Sequence, residues 1–185
     1  MFISSDTNIW FDFEAIGHLE HPFLLNHSYY ISDFTFDEEI QYAKEIRQCV
    51  VSKLLLVTSV NSDELALVNV LSSKYPNLSF YDAVALAIAI KRKWILLTGD
   101  GFLREAAKKE RIACHGSIWI YDQLLEHNKI TRQCYKKCLT KLLELVKQGK
   151  RRLPIEELVK RIEMWKMKCE SCNGAKTMIE LLHIW

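Results

Sequence analysis

No stretch of this chain is long and apolar enough to cross a bilayer. The longest unbroken apolar run is AVALAIAI, residues 83–90, far short of the ~20 residues a spanning helix needs. The opening MFISSDTNIW has neither the basic n-region nor the apolar h-region of a secretory signal. A soluble, unexported, cytoplasmic protein without a membrane partner is therefore expected. Internal repeats and low-complexity segments are also missing. Several chemical signatures are absent too: G-x-G-x-x-G, G-x-x-x-x-G-K-[ST], G-x-S-x-G and H-E-x-x-H do not occur. Dinucleotide binding, P-loop hydrolysis, serine esterase chemistry and zinc hydrolysis thus lose their usual markers.

Six cysteines without a signal peptide point to reduced thiols rather than a disulfide framework. Cys169 and Cys172 form a lone C-x-x-C, and Cys134 lies one helical turn from Cys138. Four thiolates can close a tetrahedral zinc site, but no second C-x-x-C stands at ribbon spacing, and Cys138 belongs to an apolar stripe. Buried structural cysteines are the simpler reading. His18, His21 and His27 read as surface or capping residues.

What is present is a core-forming chain of 185 residues, 49% hydrophobic, with short apolar runs alternating with helix-period segments. That alternation predicts an α/β fold around a mostly parallel sheet of four to five strands. Strands are expected at Met1–Ser5, Ser28–Ser32, Lys53–Thr58, Trp94–Thr98 and Ala113–Ile120. Helices are expected from Asn8 or Trp10 to His18, after Thr35, over Ser62–Ser73, from Ser79 and from Gly101. Two more follow. One carries Tyr135, Cys138, Leu139, Leu142 and Val146 on one face and ends at Gly149; the other opens at Pro154 with Ile155, Leu158, Val159 and Ile162. A single domain over residues 1–168, including this helical pair, is expected, followed by a tail over 169–185. The tail's TMIELLHIW is either docked on the body or a partner surface.

Charge is unevenly spread. Residues 1–128 carry 11 Lys and Arg against 17 Asp and Glu, a balance of −6; residues 129–168 carry 13 against 4, a balance of +9. The basic block suits a polyanion such as nucleic acid, or simply two solvated helix faces.

Four acids fall where such a fold builds ligand sites. Asp6 follows the first strand, Glu38 lies six residues past the second, Asp82 sits in the first turn of the helix opened by Ser79, and Asp100 follows WILLT. All four should gather at the C-terminal edge of the sheet. Converging carboxylates repel: a pair ~4 Å apart costs roughly 4 kcal/mol at an effective dielectric near 20. No lysine or arginine follows a strand end closely enough to offset this. An all-oxygen cage suits Mg²⁺ or Mn²⁺ rather than zinc, and two such ions about 3.5–4 Å apart can clamp a phosphodiester for in-line attack by water. A purely structural role is also open to each acid. Ser79–Asp82 and Thr35–Glu38 both have capping-box spacing, and Asp6 and Asp100 suit turns.

Taken in order, FISSDTNIW, ISDFTFDEEI, LSFYDAVALAIA and LLTGDGFLREAA resemble the PIN-domain family, and the resemblance continues through HGSIWIYDQL to about Trp165. It implies a three-layer α/β/α nuclease fold whose acids hold Mg²⁺ or Mn²⁺ and cleave single-stranded RNA. By motif, Asp6 matches the family's DTN aspartate, Asp82 that of LSxxDA and Asp100 that of LxTxD. Ser32, Thr35 and Glu38 align with S-x-x-T-x-x-E, which selects Glu38 over neighbouring Glu39. Asn8 and Thr98 match secondary polar positions that orient the metal cluster. Many members are VapC-like toxins neutralised by a cognate antitoxin, and a homodimer is a reasonable expectation. RNA processing or structure-specific cleavage outside a toxin system, or a non-catalytic RNA- or protein-binding module, are the alternatives. The chain is longer than compact toxins of the family, and its basic helical pair is a departure from them.

Overall fold

Strand β1 (Phe2–Ser5) is the middle of a five-stranded, all-parallel sheet, and it is the element from which the rest is arranged. The computed structural model describes residues 1–164 of the chain. Beside β1 stand β2 (Ser28–Ser32) and β3 (Leu55–Thr58) on one side, and β4 (Ile95–Leu97) and β5 (Cys114–His115) on the other. The order is β3-β2-β1-β4-β5. The chain therefore winds outward from β1 to β3, then restarts on the other side at β4. The crevice beyond the C-terminal ends of β1 and β4 is the switch point where open parallel sheets place ligand sites.

The register brings Ser4 level with both Tyr30 and Leu96, and Ser5 level with Leu97. Successive strand side chains face opposite ways. Ser4 Oγ donates to the Ala85 carbonyl (2.9 Å), on helix α5 (Phe80–Arg92), while Ser5 Oγ accepts from Trp10 Nε1 (3.0 Å), on helix α1 (Thr7–Ala15). Helices thus cover both faces, as a parallel sheet requires.

On the α5 face lie α4 (Ser62–Lys74) and α6 (Gly101–Lys109), both in contact with α5. Every residue from Ala83 to Ala89 is buried, which explains the near-continuous apolar run: this helix is enclosed on all sides. Truncating fully buried Leu86 to alanine is a change of the kind that costs about 2–5 kcal/mol. On the other face α1 meets α3 (Lys44–Val51) and α7 (Ser117–Glu126). There Trp10 meets the edge of Tyr29 at 5.5 Å and Phe13 lies 5.2 Å from Tyr121.

Two elements differ from the sequence reading. The strand expected over Ala113–Ile120 stops at His115; Gly116 then caps α7, with Ile118, Ile120, Tyr121 and Leu124 buried. SIWIY has the β-branched and aromatic content of a strand, but packing against α1 and a Ser117 hydroxyl bond to buried Asp12 set it as a helix. The helix expected after Thr35 begins earlier, as α2 (Asp33–Glu38), and α3 is separate from it. Ser32 is its N-cap, accepting from the Thr35 amide at 3.0 Å. Thr35–Glu38 is therefore not a capping box. The remaining boundaries fall within about three residues of expectation.

Contacts divide the chain into two units, Met1–Ile130 and Thr131–Trp185. Within the second, α8 (Arg132–Lys147) is capped by the Thr131 side chain and buries Tyr135, Cys138, Leu139 and Leu142. Gly149 takes φ +70° just past its end, a left-handed conformation glycine adopts without strain. A helical segment over 155–164 buries Leu158. Cys169, Cys172 and the apolar tail lie outside the described residues. Among those described, no helix is long and apolar enough to cross a membrane.

Candidate functional site

Asp6 closes β1 and caps α1, yet its side chain makes no capping bond to that helix. Its backbone amide donates to the Leu97 carbonyl (2.9 Å), which ties the ends of β1 and β4 together. The carboxylate is 7% exposed. Thr98 Oγ1 donates to its Oδ2 at 2.8 Å and Asn8 Nδ2 donates to the same oxygen at 3.1 Å. Oδ1 takes no hydrogen bond from any described residue. Both partners are neutral.

Thr98 is wholly buried and links two acids. Its hydroxyl donates to Asp6 and accepts the Asp100 amide at 3.0 Å, so both its roles are fixed by its neighbours. Asp100 caps α6 by accepting the Leu103 amide through Oδ1 at 2.9 Å. Asp82 stands in a full capping box: the Ser79 amide donates to its Oδ2 (2.9 Å), and its own amide donates to Ser79 Oγ (3.1 Å). Each cap occupies one carboxylate oxygen, and the other takes no hydrogen bond from a described residue. The structural role and a ligand role are compatible.

Of the two neighbouring glutamates, Glu39 rather than Glu38 is the one whose charge bears on Asp6. Glu38 ends α2, is exposed, and engages a neighbour only through its carbonyl, which accepts from Gln41 Nε2 at 3.2 Å. One residue further is a rotation of about 100° on a helix, and Glu39, itself exposed, turns its carboxylate to accept a hydrogen bond from Thr7. Thr7 was not singled out in the sequence. Its signal was its place beside Asp6 in the DTN motif.

The electrostatics show that these groups share one region. Burial, followed by repulsion from Asp82 and Glu39, pushes the Asp6 carboxyl up from an ordinary 3.8 to about 6, against the lowering effect of the Thr98 and Asn8 bonds. Burial and Asp82 raise Glu39, and burial and Asp100 raise Asp82. The charges bearing on Asp6 are all negative. No three of the acids' oxygens lie within 4.8 Å of one another; repulsion without a cation favours that spacing. An all-oxygen, cation-deficient cluster is the donor set for a hard divalent ion, which Asp6, Asp82, Asp100 and Glu39 would hold.

One cation does reach the strand end. Arg104, one turn past Asp100 on α6, donates Nη1 to the Thr98 carbonyl at 3.2 Å. Gly116 makes room for it, since a Cβ there would lie 3.2 Å from that nitrogen. Arg104 reaches the end of β4 through helical spacing rather than proximity in sequence, yet no positive charge bears on Asp6 or Asp82.

His18, Glu20 and His21 bring three potential ligand atoms within 4.8 Å. Their geometry suits a metal poorly. The two imidazoles stack face to face, 4.3 Å apart and within 10° of parallel, while their lone pairs lie in the ring planes and so do not converge on one ion. His21, expected as a surface or capping residue, is buried against the edge of Tyr121, and burial lowers its pKa.

Comparison with known families gives one match: the family model DUF3368, described as a PIN domain, covers residues 2–166. No curated protein and no solved structure matches the chain significantly.

Proposed function

Because the chain belongs to the PIN-domain family, a nuclease fold whose enzymes typically use divalent metals, we propose that it is a metal-dependent endoribonuclease acting on single-stranded RNA. The observation that carries this reading is Asp6, a buried carboxylate at the β1/β4 switch point, surrounded by other acids and bonded only by neutral partners. A structural acid in that position would be expected to have a cation.

Mg²⁺ or Mn²⁺ would supply charge neutralisation at the phosphate and a bound water more acidic than bulk water. The chain's own residues do the rest. Thr98 and Asn8 fix the Asp6 carboxylate in one rotamer, and Asp82 and Asp100 are held rigid by the helix starts they cap. Thr7 holds Glu39, whose carboxylate would complete the ion's ligand set. Arg104 would offer its guanidinium to the phosphate's oxygens.

The test is cleavage of a labelled single-stranded RNA by purified protein, with and without chelator. Asp82→Asn and Asp100→Asn should each abolish cleavage while leaving the folded protein intact. Full cleavage by either variant would overturn the assignment. The toxin role extends the proposal and rests on resemblance: expression should arrest growth, the Asp82→Asn form should not, and a neighbouring gene product should relieve the arrest as antitoxin.

A further inference from the structure

The acids are not the only unusual feature of this sheet edge. Phe80 is the first residue of α5, two before Asp82, and Phe34 is the second residue of α2. Their rings meet edge to face, 5.4 Å apart at 87°, although they come from different elements. Both stay substantially in solvent, at 38% for Phe34 and 42% for Phe80. Phe102, two residues past Asp100, is 55% exposed. A lone exposed phenylalanine is ordinary. Here a preformed pair flanks the capping box that positions Asp82, and a third ring adjoins Asp100.

We infer that Phe34 and Phe80 form a stacking platform for an unpaired nucleobase of the strand whose phosphate enters the acidic pocket. This rests on the nuclease reading and adds to it the residues that select a single strand. The exposed, flat rings together with the nuclease reading select a nucleobase as the occupant. Asp33, Asp82 and Asp100 make the edge negative, so a polyanion settles there only by presenting uncharged flat faces to the rings while cations take its phosphates. Arg104 provides one such cation, with its remaining N–H groups taking no acceptor among the described residues. Bases in a duplex are already stacked on both faces and cannot use the rings; bases in a single strand can.

The experiment is fluorescence anisotropy with a labelled single-stranded RNA and its duplex, in EDTA at low ionic strength, so that cleavage plays no part. Wild type should bind the single strand more tightly than the duplex. Phe80→Leu and Phe34→Leu keep apolar bulk but lose the ring; each should weaken single-strand binding by roughly 5- to 100-fold and leave duplex binding unchanged. Phe80→Trp should retain or tighten it, which separates lost stacking from a damaged fold. Unchanged affinity in both leucine variants, equal binding of duplex and single strand, or no single-strand binding by wild type overturns the platform. If the variants lose binding but the protein never cleaves RNA, the platform stands and the nuclease reading falls. If cleavage is real but the rings do not matter, the reverse holds, and the pair is then open to a protein partner.

Discussion

The first turns of α4 and α5 are built alike, yet their acids live in opposite electrostatic worlds. Asn61 and Glu64 form a capping box at the start of α4, as Ser79 and Asp82 do at the start of α5. Glu64 is 1% exposed and fully answered: Arg92 Nε donates to Oε1 at 2.6 Å and Nη2 to Oε2 at 2.9 Å. These bonds hold its carboxyl below the usual range. Asp82 has no such partner; burial and Asp100 hold it above. Capping alone therefore does not distinguish structure from function. The counter-ion does, because a carboxylate left without one is held ready for a ligand that carries positive charge.

Removing the counter-ion from the satisfied acid should have the largest effect on stability. Arg92 also donates to Thr58 Oγ1 (2.6 Å) and the Ser59 carbonyl (2.9 Å). Arg92→Met strands a buried charge and should destabilise the fold by roughly 3 kcal/mol in urea melts. A loss below about 1 kcal/mol would mean that Glu64 is no better satisfied than Asp82.

The same operation on the unsatisfied acid should have the opposite sign. Asp6→Asn removes a repelled charge while preserving shape. The folded carboxyl titrates near 6 rather than 3.8, so the folded state holds a proton that the unfolded chain releases earlier. Metal-free wild type should therefore lose stability, relative to the variant, as pH rises from about 4 through about 6. The gap reaches at most about 3 kcal/mol at pH 7.5 and vanishes below pH 4. Mn²⁺ should reverse the ranking by stabilising only wild type, by about 4.1 kcal/mol at about 1,000 times the dissociation constant. Parallel pH profiles for the two proteins in EDTA would remove the argument for a poised Asp6.

Thr98→Val tests the link between the two acids. It deletes the hydroxyl that donates to Asp6 and accepts from Asp100, and should reduce metal affinity or cleavage by about 10- to 100-fold. Thr98→Ser should restore most of it. Equal loss in both would point to packing of the methyl group instead.

Much of this was legible in the sequence, for reasons that can be stated residue by residue. Strand ends followed within three residues by Asp6 and Asp100, and Ser79 three before Asp82, are local patterns, and local patterns survive folding. β2 appeared at its expected bounds because Ser28 and Ser32 punctuate a short apolar run. What failed depended on tertiary context. SIWIY became a helix because α1 offers it a face, a fact held in residues a hundred positions earlier. Arg104 reaches Thr98 because α6 packs beside β5 and Gly116 leaves space.

The choice between Glu38 and Glu39 shows how fine that dependence is. Motif spacing from Ser32 and Thr35 selects Glu38, but the helix phase puts Glu39 on Thr7 and within the repulsion felt by Asp6. Glu39→Gln should lower Mn²⁺ affinity about 10-fold and bring the Asp6 titration down toward its ordinary value, since one repelling charge is gone. Glu38→Gln, at an exposed side chain, should leave stability within about 0.5 kcal/mol and cleavage unchanged. Were Glu38→Gln the damaging variant, the last turn of α2 would have to rotate when the ion binds, and the motif would describe the loaded site better than the geometry of the free one.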